Sequence, residues 1–281
     1  MDTELLRTFL EVHRCGHFGH AAERLCVTPS AVSARIRLLE EQLGSELFER
    51  ERNNIRLTAA GARLLPRAET LVALWERTRR EVGLERKPAR LAVAAPPSLW
   101  EILLPRWLGW ICANADVRLQ LDTLSSEQVV QRLGVGLLDT GFLFDTPAIA
   151  GIELREAGEV ALQLISARAE MATEQALEAG YIHTEWGPAF NARQLELAQG
   201  REPRARVMTG QAALVLLNQC GGSAYLPQAM VEQALAEGRL HRVTDAPVIT
   251  VRAYAAFDAQ GIHAPLVARS LDALATDQTS R

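Results

Sequence analysis

Apolar residues recur at three- and four-residue intervals through the first eighty or so positions. Beyond them they fall into short alternating or continuous runs, so the chain reads as a helical front followed by an α/β remainder. Residues 3 to about 14 carry Leu5, Leu6, Phe9, Leu10 and Val12, more apolar positions than a free surface helix would hold. The next stretch, Phe18 to Gly44, predicts two helices joined by a short turn. Thr28 can accept from backbone N–H groups of the following turn, Pro29 suits a first helical position, and no breaker intervenes before Gly44. Val32, Ile36, Leu39 and Leu43 form an inward stripe on this helix, and Ser30, Ser33, Ala34 and Arg37 form the opposite one. A helix with short residues and an arginine on its outer face, presented by a preceding helix, fits a DNA major groove. The same helix alone would serve equally as a surface helix of an ordinary helical domain.

The segment after Gly44 favours the groove-reading role. Leu47-Phe48 and Ile55-Arg56-Leu57 are strand-like runs flanking Arg50, Glu51, Arg52, Asn53 and Asn54, and together they predict a β-wing whose arginines reach phosphates or the minor groove. Thr58 can cap a long helix from Ala59 to about Glu85, bent at Pro66, with Leu65, Ala68, Val72, Trp75 and Val82 close to a 3.5-residue spacing. Leu64, Leu71 and Leu74 broaden that stripe, which predicts packing against a second copy. Residues 81–90, closed by Pro88, read as a hinge.

From Leu91 onward strands and helices alternate. Leu91–Ala95, a helix after Ser98, Val117–Leu121, a helix from Ser125-Ser126 and Thr140–Phe144 predict a parallel sheet covered on both sides. A second unit of the same kind runs from Ala161 to Leu226, and Val248–Phe257 with a helix over 262–274 returns to the first. Two such lobes enclose a cleft, and ligands lie at strand ends near the switch point. The candidate effector positions are Ser98, Thr123, Ser126, Trp186, Thr209 and Gln211.

Composition changes this picture little until the charge is divided. The net charge of −4 splits into 16 basic and 13 acidic residues over 1–90, and 14 and 21 over 91–281, so the front is basic and the back acidic. At +3 the front is only modestly basic, so phosphate affinity must come from arginines gathered on one face and from paired subunits. Polar residues interrupt the opening apolar positions and no run reaches spanning length, which predicts a cytoplasmic protein without a membrane segment. Cys15, Cys26, Cys112 and Cys220 have no dithiol or metal-ligand spacing; His13, His17 and His20 lack a completing ligand, so no metal or cofactor is expected.

In order along the chain, Leu5, Phe9 and Leu10, Phe18 with Ala21-Ala22, Ser30-Ala31-Val32-Ser33, Ile36 with Leu39-Glu40, Leu43-Gly44, Leu47-Phe48 with Arg50, and Leu57-Thr58 with Gly61 resemble the N-terminal region of LysR-type transcriptional regulators. The opening MDTELLRTFLEV, the run NNIRLTAAG and Glu185-Trp186-Gly187-Pro188 resemble the HdfR-like branch. Pro29 stands where many members carry glutamine and Ala34 where many carry arginine, so base contacts at those positions are not transferable. The resemblance implies an α+β multidomain chain: a winged helix-turn-helix over 1–58, a linker and dimerisation helix with hinge over 59–88, and a two-lobed, type 2 periplasmic-binding-protein-like effector domain over 89–281. Lobe I would take about 89–158 and 250–281, and lobe II about 159–249.

The expected function is sequence-specific transcriptional regulation controlled by a small-molecule effector or by oligomeric state. The partners expected are double-stranded DNA with an inverted-repeat operator, a second copy or four copies of the chain, and RNA polymerase. Thr28, Pro29, Ser30, Ser33 and Arg37 would lie at base edges or adjacent backbone, Arg35 at phosphate, and Arg50, Arg52, Asn53 and Asn54 in the wing. Two other classes compete: a cytoplasmic small-molecule-binding protein with no direct DNA role, and an enzyme using the cleft. Against the last, the chain has no nucleophile elbow, phosphate loop or His-Glu-x-x-His set.

Overall fold

Three capped helices open the computed structural model, which describes residues 2–51, 54–82, 90–148, 150–178 and 180–278. The first, α1 (Thr3–Cys15), begins with Asp2 accepting from Glu4 N–H and stops at Gly16, whose φ of 60° is the left-handed ending that glycine adopts without strain. Next, α2 (Phe18–Leu25) starts at His17, whose Nδ1 accepts from Gly19 N–H at 3.0 Å. Then α3 (Pro29–Leu43) has its Thr28 cap, its proline at the first position and its left-handed stop at Gly44. Leu5, Leu6, Phe9 and Val12 of α1, Ala21 and Ala22 of α2, and Val32, Ile36 and Leu39 of α3 form one core.

Glu40 ties the end of α3 to the wing by accepting from Leu47 N–H at 2.9 Å. Strands β1 (Phe48–Glu51) and β2 (Asn54–Leu57) pair antiparallel, Phe48 opposite Leu57, and close the core with Leu47 and Phe48. Thr58 then donates to Glu46 carbonyl and accepts from Gly61 N–H, starting α4 (Ala59–Val82). Gly61 is required there because a Cβ would collide with the Leu47 carbonyl oxygen. The apolar stripe of α4 divides in two. Ala68 is buried, with Leu64, Leu65 and Val72 packed on the same core, while Leu71, Leu74 and Trp75 remain exposed. These elements make up the first of two compact units, Met1–Arg86, and the hinge expected over 81–90 falls largely outside the described residues.

The second unit, Lys87–Arg281, opens as a βα repeat. Strand β3 (Arg90–Ala95) is followed by α5 (Pro97–Ile102) and α6 (Leu104–Asn114), then β4 (Arg118–Thr123), α7 (Ser126–Gly134) and β5 (Thr140–Leu143). Both β4 and β5 pair with β3 in parallel, as the alternation of strands and helices requires. The rest of the sheet is antiparallel, which corrects the expectation of two parallel sheets.

The long β6 (Ile152–Ser166) runs beside β11 (Ile249–Asp258) over its first eleven residues, and β11 also pairs antiparallel with β5. The far half of β6 pairs antiparallel with β9 (Ser223–Pro227) and β10 (His241–Arg242). Only eight residues lie between β5 and β6, too few for a helical crossover, so β6 cannot continue the parallel series. Around it lie α8 (Thr173–Glu178), β7 (Ile182–Thr184), α9 (Pro188–Ala198), β8 (Ala205–Val207), α10 (Gly210–Cys220) and α11 (Gln228–Ala236), with β7 and β8 forming a separate parallel pair. The last helix, α12 (Ala264–Gln278), covers the sheet beside α6, where Trp107 donates to Ser270 Oγ at 2.7 Å and stands edge-on to Phe142.

Candidate nucleic-acid interface and effector cleft

The stripe Val32, Ile36 and Leu39 is no more than 1% exposed, so α3 is anchored along one side. Burying those three side chains contributes on the order of 1.5–3 kcal/mol each and fixes which residues face outward. Thr28, Pro29, Ser30, Ala34 and Arg37 are exposed, and Ser33 is half-buried. At the start of the helix Thr28 Oγ1 accepts from Ala31 N–H at 3.2 Å and lies 2.9 Å from Ser30 Oγ, so the two hydroxyls hold each other in place. Arg37 has no ion pair among the described residues, and its guanidinium is open to an outside acceptor.

Two positions on α3 differ from expectation. Leu43 is exposed at 43% rather than inward-facing, because the helix continues one turn past the core before Gly44 stops it. It lines a 300 Å³ hollow with Ser45, Leu47, Ala60, Arg63, Leu64 and Arg67. Arg35 turns back toward α1: its Nη1 is 3.4 Å from Thr8 Oγ1 and 3.9 Å from Glu4 Oε2, so its charge is partly engaged within the unit. In the wing, Arg50 opposes Ile55 and Asn54 opposes Glu51, while Arg52 and Asn53 lie outside the described residues. Sequence reasoning passed over Arg56, which is exposed on β2 opposite Glu49.

In the second unit the strand ends of β3 and β4 lie side by side, Ala95 opposite Thr123. Thr123 is exposed there, and Ser126 is half-buried at the first position of α7, whose cap is Ser125 in a reciprocal capping box with Gln128. Ser98 does not cap α5. It is the second helical residue, 1% exposed, and its Oγ has no hydrogen-bond partner among the described residues.

Trp186 is not a free wall of the cleft, since it is fully buried and donates Nε1–H to the Tyr225 carbonyl at 2.9 Å. Thr209 caps α10 by accepting from Ala212 N–H at 3.2 Å, and Gln211 is exposed. The acceptor beside Gln211, which sequence reasoning missed, is Glu101 of α5: its carboxylate takes N–H bonds from Gly210 at 2.6 Å and Gln211 at 3.2 Å.

The segment Glu185-Trp186-Gly187-Pro188 joins the lobes in a second way. Gly187, at φ 95°, lies so close to the Phe144 side chain beyond β5 that a Cβ would overlap it, and Pro188 then starts α9. Behind it His183 is 4% exposed, with Nδ1 lacking a partner among the described residues. Burial, and then the positive charge of Arg206, hold its imidazole below the usual histidine range. Tyr225 is pushed up to about 12 by burial. All four cysteines are free, and no group of three or more metal-binding side chains is found among the described residues. No helix among them is long and apolar enough to cross a membrane.

Known proteins with similar sequences fit this division into units. The family described as "Bacterial regulatory helix-turn-helix protein, lysR family" matches residues 3–62, and the "LysR substrate binding domain" matches residues 85–278. The chain is 38% identical over 260 residues to the HTH-type transcriptional regulator HdfR of Escherichia coli O139:H28, covering 91% of each. Among solved structures, the CbnR regulator in complex with its target DNA aligns with a TM-score of 0.73 at 23% identity, over 98% of this chain and 99% of that one. ArgP from Mycobacterium tuberculosis aligns at 0.64 and 23%, over 98% and 96%. At those identities the two structures speak to the fold alone.

Proposed function

Because the chain belongs to the LysR family of bacterial transcriptional regulators, on its HdfR-like branch, we propose that α3 is the helix that reads its operator. The chain is a regulator with a helix-turn-helix DNA-binding domain and an effector-binding domain; what is proposed here is which residues do the work. Thr28, Pro29, Ser30, Ser33 and Arg37 meet base edges and the adjacent backbone. The wing, with Arg50, Arg52, Asn53 and Asn54, tracks phosphates or the minor groove. Arg35 contributes to phosphate only by releasing Glu4 and Thr8.

One observation carries the assignment: α3 buries an aliphatic stripe and leaves an arginine without an ion pair among the described residues on the opposite, serine-rich face. The match of residues 3–62 to a bacterial regulatory helix-turn-helix family supports DNA as the partner here. The exposed Leu71, Leu74 and Trp75 of α4 pack against a second copy, so that two recognition helices address successive major grooves of an inverted repeat. We assign residues 1–58 to DNA binding, 59–88 to linking and dimerisation, and 89–281 to effector control through the cleft at Ser98, Thr123, Ser126, Thr209 and Gln211. A small molecule bound there shifts the balance between subunit arrangements and so the engagement of RNA polymerase.

The deciding experiment selects bound fragments from the source genome and titrates the wild type and Arg37→Ala on a selected fragment and on random duplex. A bidentate arginine–base contact predicts a loss of about 1–3 kcal/mol on the selected fragment and little change on random DNA. Equal affinities of the two proteins for the selected fragment would remove α3 from the interface.

A further inference from the structure

The lobes of the effector unit meet where α5, at the strand ends of the first lobe, faces the start of α10 in the second. Glu101 Oε2 accepts from Gly210 N–H at 2.6 Å and from Gln211 N–H at 3.4 Å, and Oε1 accepts from Gln211 N–H at 3.2 Å. Gly210 and Gln211 are the first two residues of an eleven-residue helix, and N–H groups at those positions have no acceptor within the helix. The third, Ala212, donates to Thr209 Oγ1, and Ala213 donates to the Thr209 carbonyl. Every donor of the first turn is therefore bound by an oxygen of the chain itself. The positive end of the helix favours a negative acceptor, and Glu101 supplies one from 109–110 positions away in sequence.

Two further features mark this as a built contact. Gly210 is buried against Trp186 and Met230, and a Cβ there would come to 2.8–2.9 Å of their side chains, so only bare backbone can present its N–H to the first lobe. On α5, Ser98 precedes Glu101 by three residues and shares its face, with a buried hydroxyl lacking a partner among the described residues. The position for an anion at the start of α10 is thus filled by the chain's own carboxylate.

We propose that Glu101 is the resident ligand of the cleft: its carboxylate occupies the position that an organic-acid effector would take at α10, clasps the two lobes without an effector, and excludes small carboxylates. The inference rests on reading this unit as the effector domain and specifies how that site is regulated. Removing the Glu101 carboxylate then opens a site for a small organic anion at the start of α10.

The test compares full-length wild type, Glu101→Ala and Glu101→Gln by amide hydrogen exchange at Gly210 and Gln211 and by thermal unfolding, in sodium acetate and in sodium chloride of equal ionic strength. In the wild type both amides exchange slowly, unlike ordinary first-turn amides. In Glu101→Ala they exchange about ten- to a hundredfold faster and the effector unit melts about 2–4 °C lower. Acetate restores both saturably in Glu101→Ala, chloride does not, and the wild type responds to neither. Should Glu101→Ala fail to fold, Glu101→Gln carries the test, since it keeps the volume and loses the charge: its amides exchange faster and acetate does not slow them. Fast exchange in the wild type, unchanged exchange in both variants, or an equal acetate effect on wild type and Glu101→Ala overturns the proposal. None of these measurements involves DNA, so the clasp and the assignment of α3 fail independently.

Discussion

Two helices of this chain begin in nearly the same way and come to opposite surroundings. In α3, Thr28 Oγ1 accepts from Ala31 N–H at 3.2 Å; in α10, Thr209 Oγ1 accepts from Ala212 N–H at 3.2 Å. The first start is exposed, with Thr28, Pro29 and Ser30 all open to solvent. The second has a buried Gly210 and a carboxylate already in place. A threonine cap therefore establishes where a helix starts and leaves open what the start is for, which depends on what the tertiary fold brings to it.

The strongest way to break the contrast is to remove the anchor of α3. Ile36→Ala, at a site 1% exposed, costs about 2–5 kcal/mol in denaturant unfolding of the first unit and takes DNA binding with it. Gly187→Ala attacks the other side by driving a methyl into Phe144 at a backbone of φ 95°, and should cost about 2–4 kcal/mol in the second unit while the first melts as before.

The caps themselves sharpen the comparison. Thr28→Ala and Thr209→Ala each lose about 1 kcal/mol of stability. Only the former weakens operator binding in a gel shift, and only the latter speeds amide exchange at Ala212, whose N–H the Thr209 hydroxyl accepts.

Smallest are the effects of pH on the second unit. An unfolded histidine takes up its proton at about 6.5, whereas buried His183 resists until lower pH. Its contribution to stability is therefore intact above 6.5 and declines as pH falls below that value, a slope that His183→Gln should reduce. Tyr225 works in the opposite direction. The unfolded phenol ionises near 10 and the folded one near 12, so stability falls as pH rises past 10.

The front of the chain was legible because its information is local. Thr28-Pro29 at one end, Gly44 at the other and an aliphatic stripe between them suffice to define α3 and its outward face. Its errors were also local: Leu43 follows the periodicity but lies beyond the core, and Arg35 lies within reach of Thr8, which only the packing of α1 reveals. In the rear unit the parallel β3, β4 and β5 could be read, whereas the first half of β6 could not. Glu153, Arg155, Glu156 and Glu159 crowd that half and hide its alternation. Arg155 in fact reaches α12, where it pairs with Asp272 at 2.5 Å. The Glu101 contact was out of reach for a different reason, since no periodicity links a side chain on one helix to backbone amides more than a hundred residues later. Trp186, read from the sequence as a cleft residue, is held instead by the Tyr225 carbonyl.

The shared ladder of β6 and β11 constrains how a signal can travel. It joins the half of the sheet that holds β5 to the half that holds β9 and β10, and its one slip of register falls between Ala253 and Tyr254. Pulling the lobes straight apart would tear a row of backbone bonds, while turning one about the other only winds that row more or less tightly.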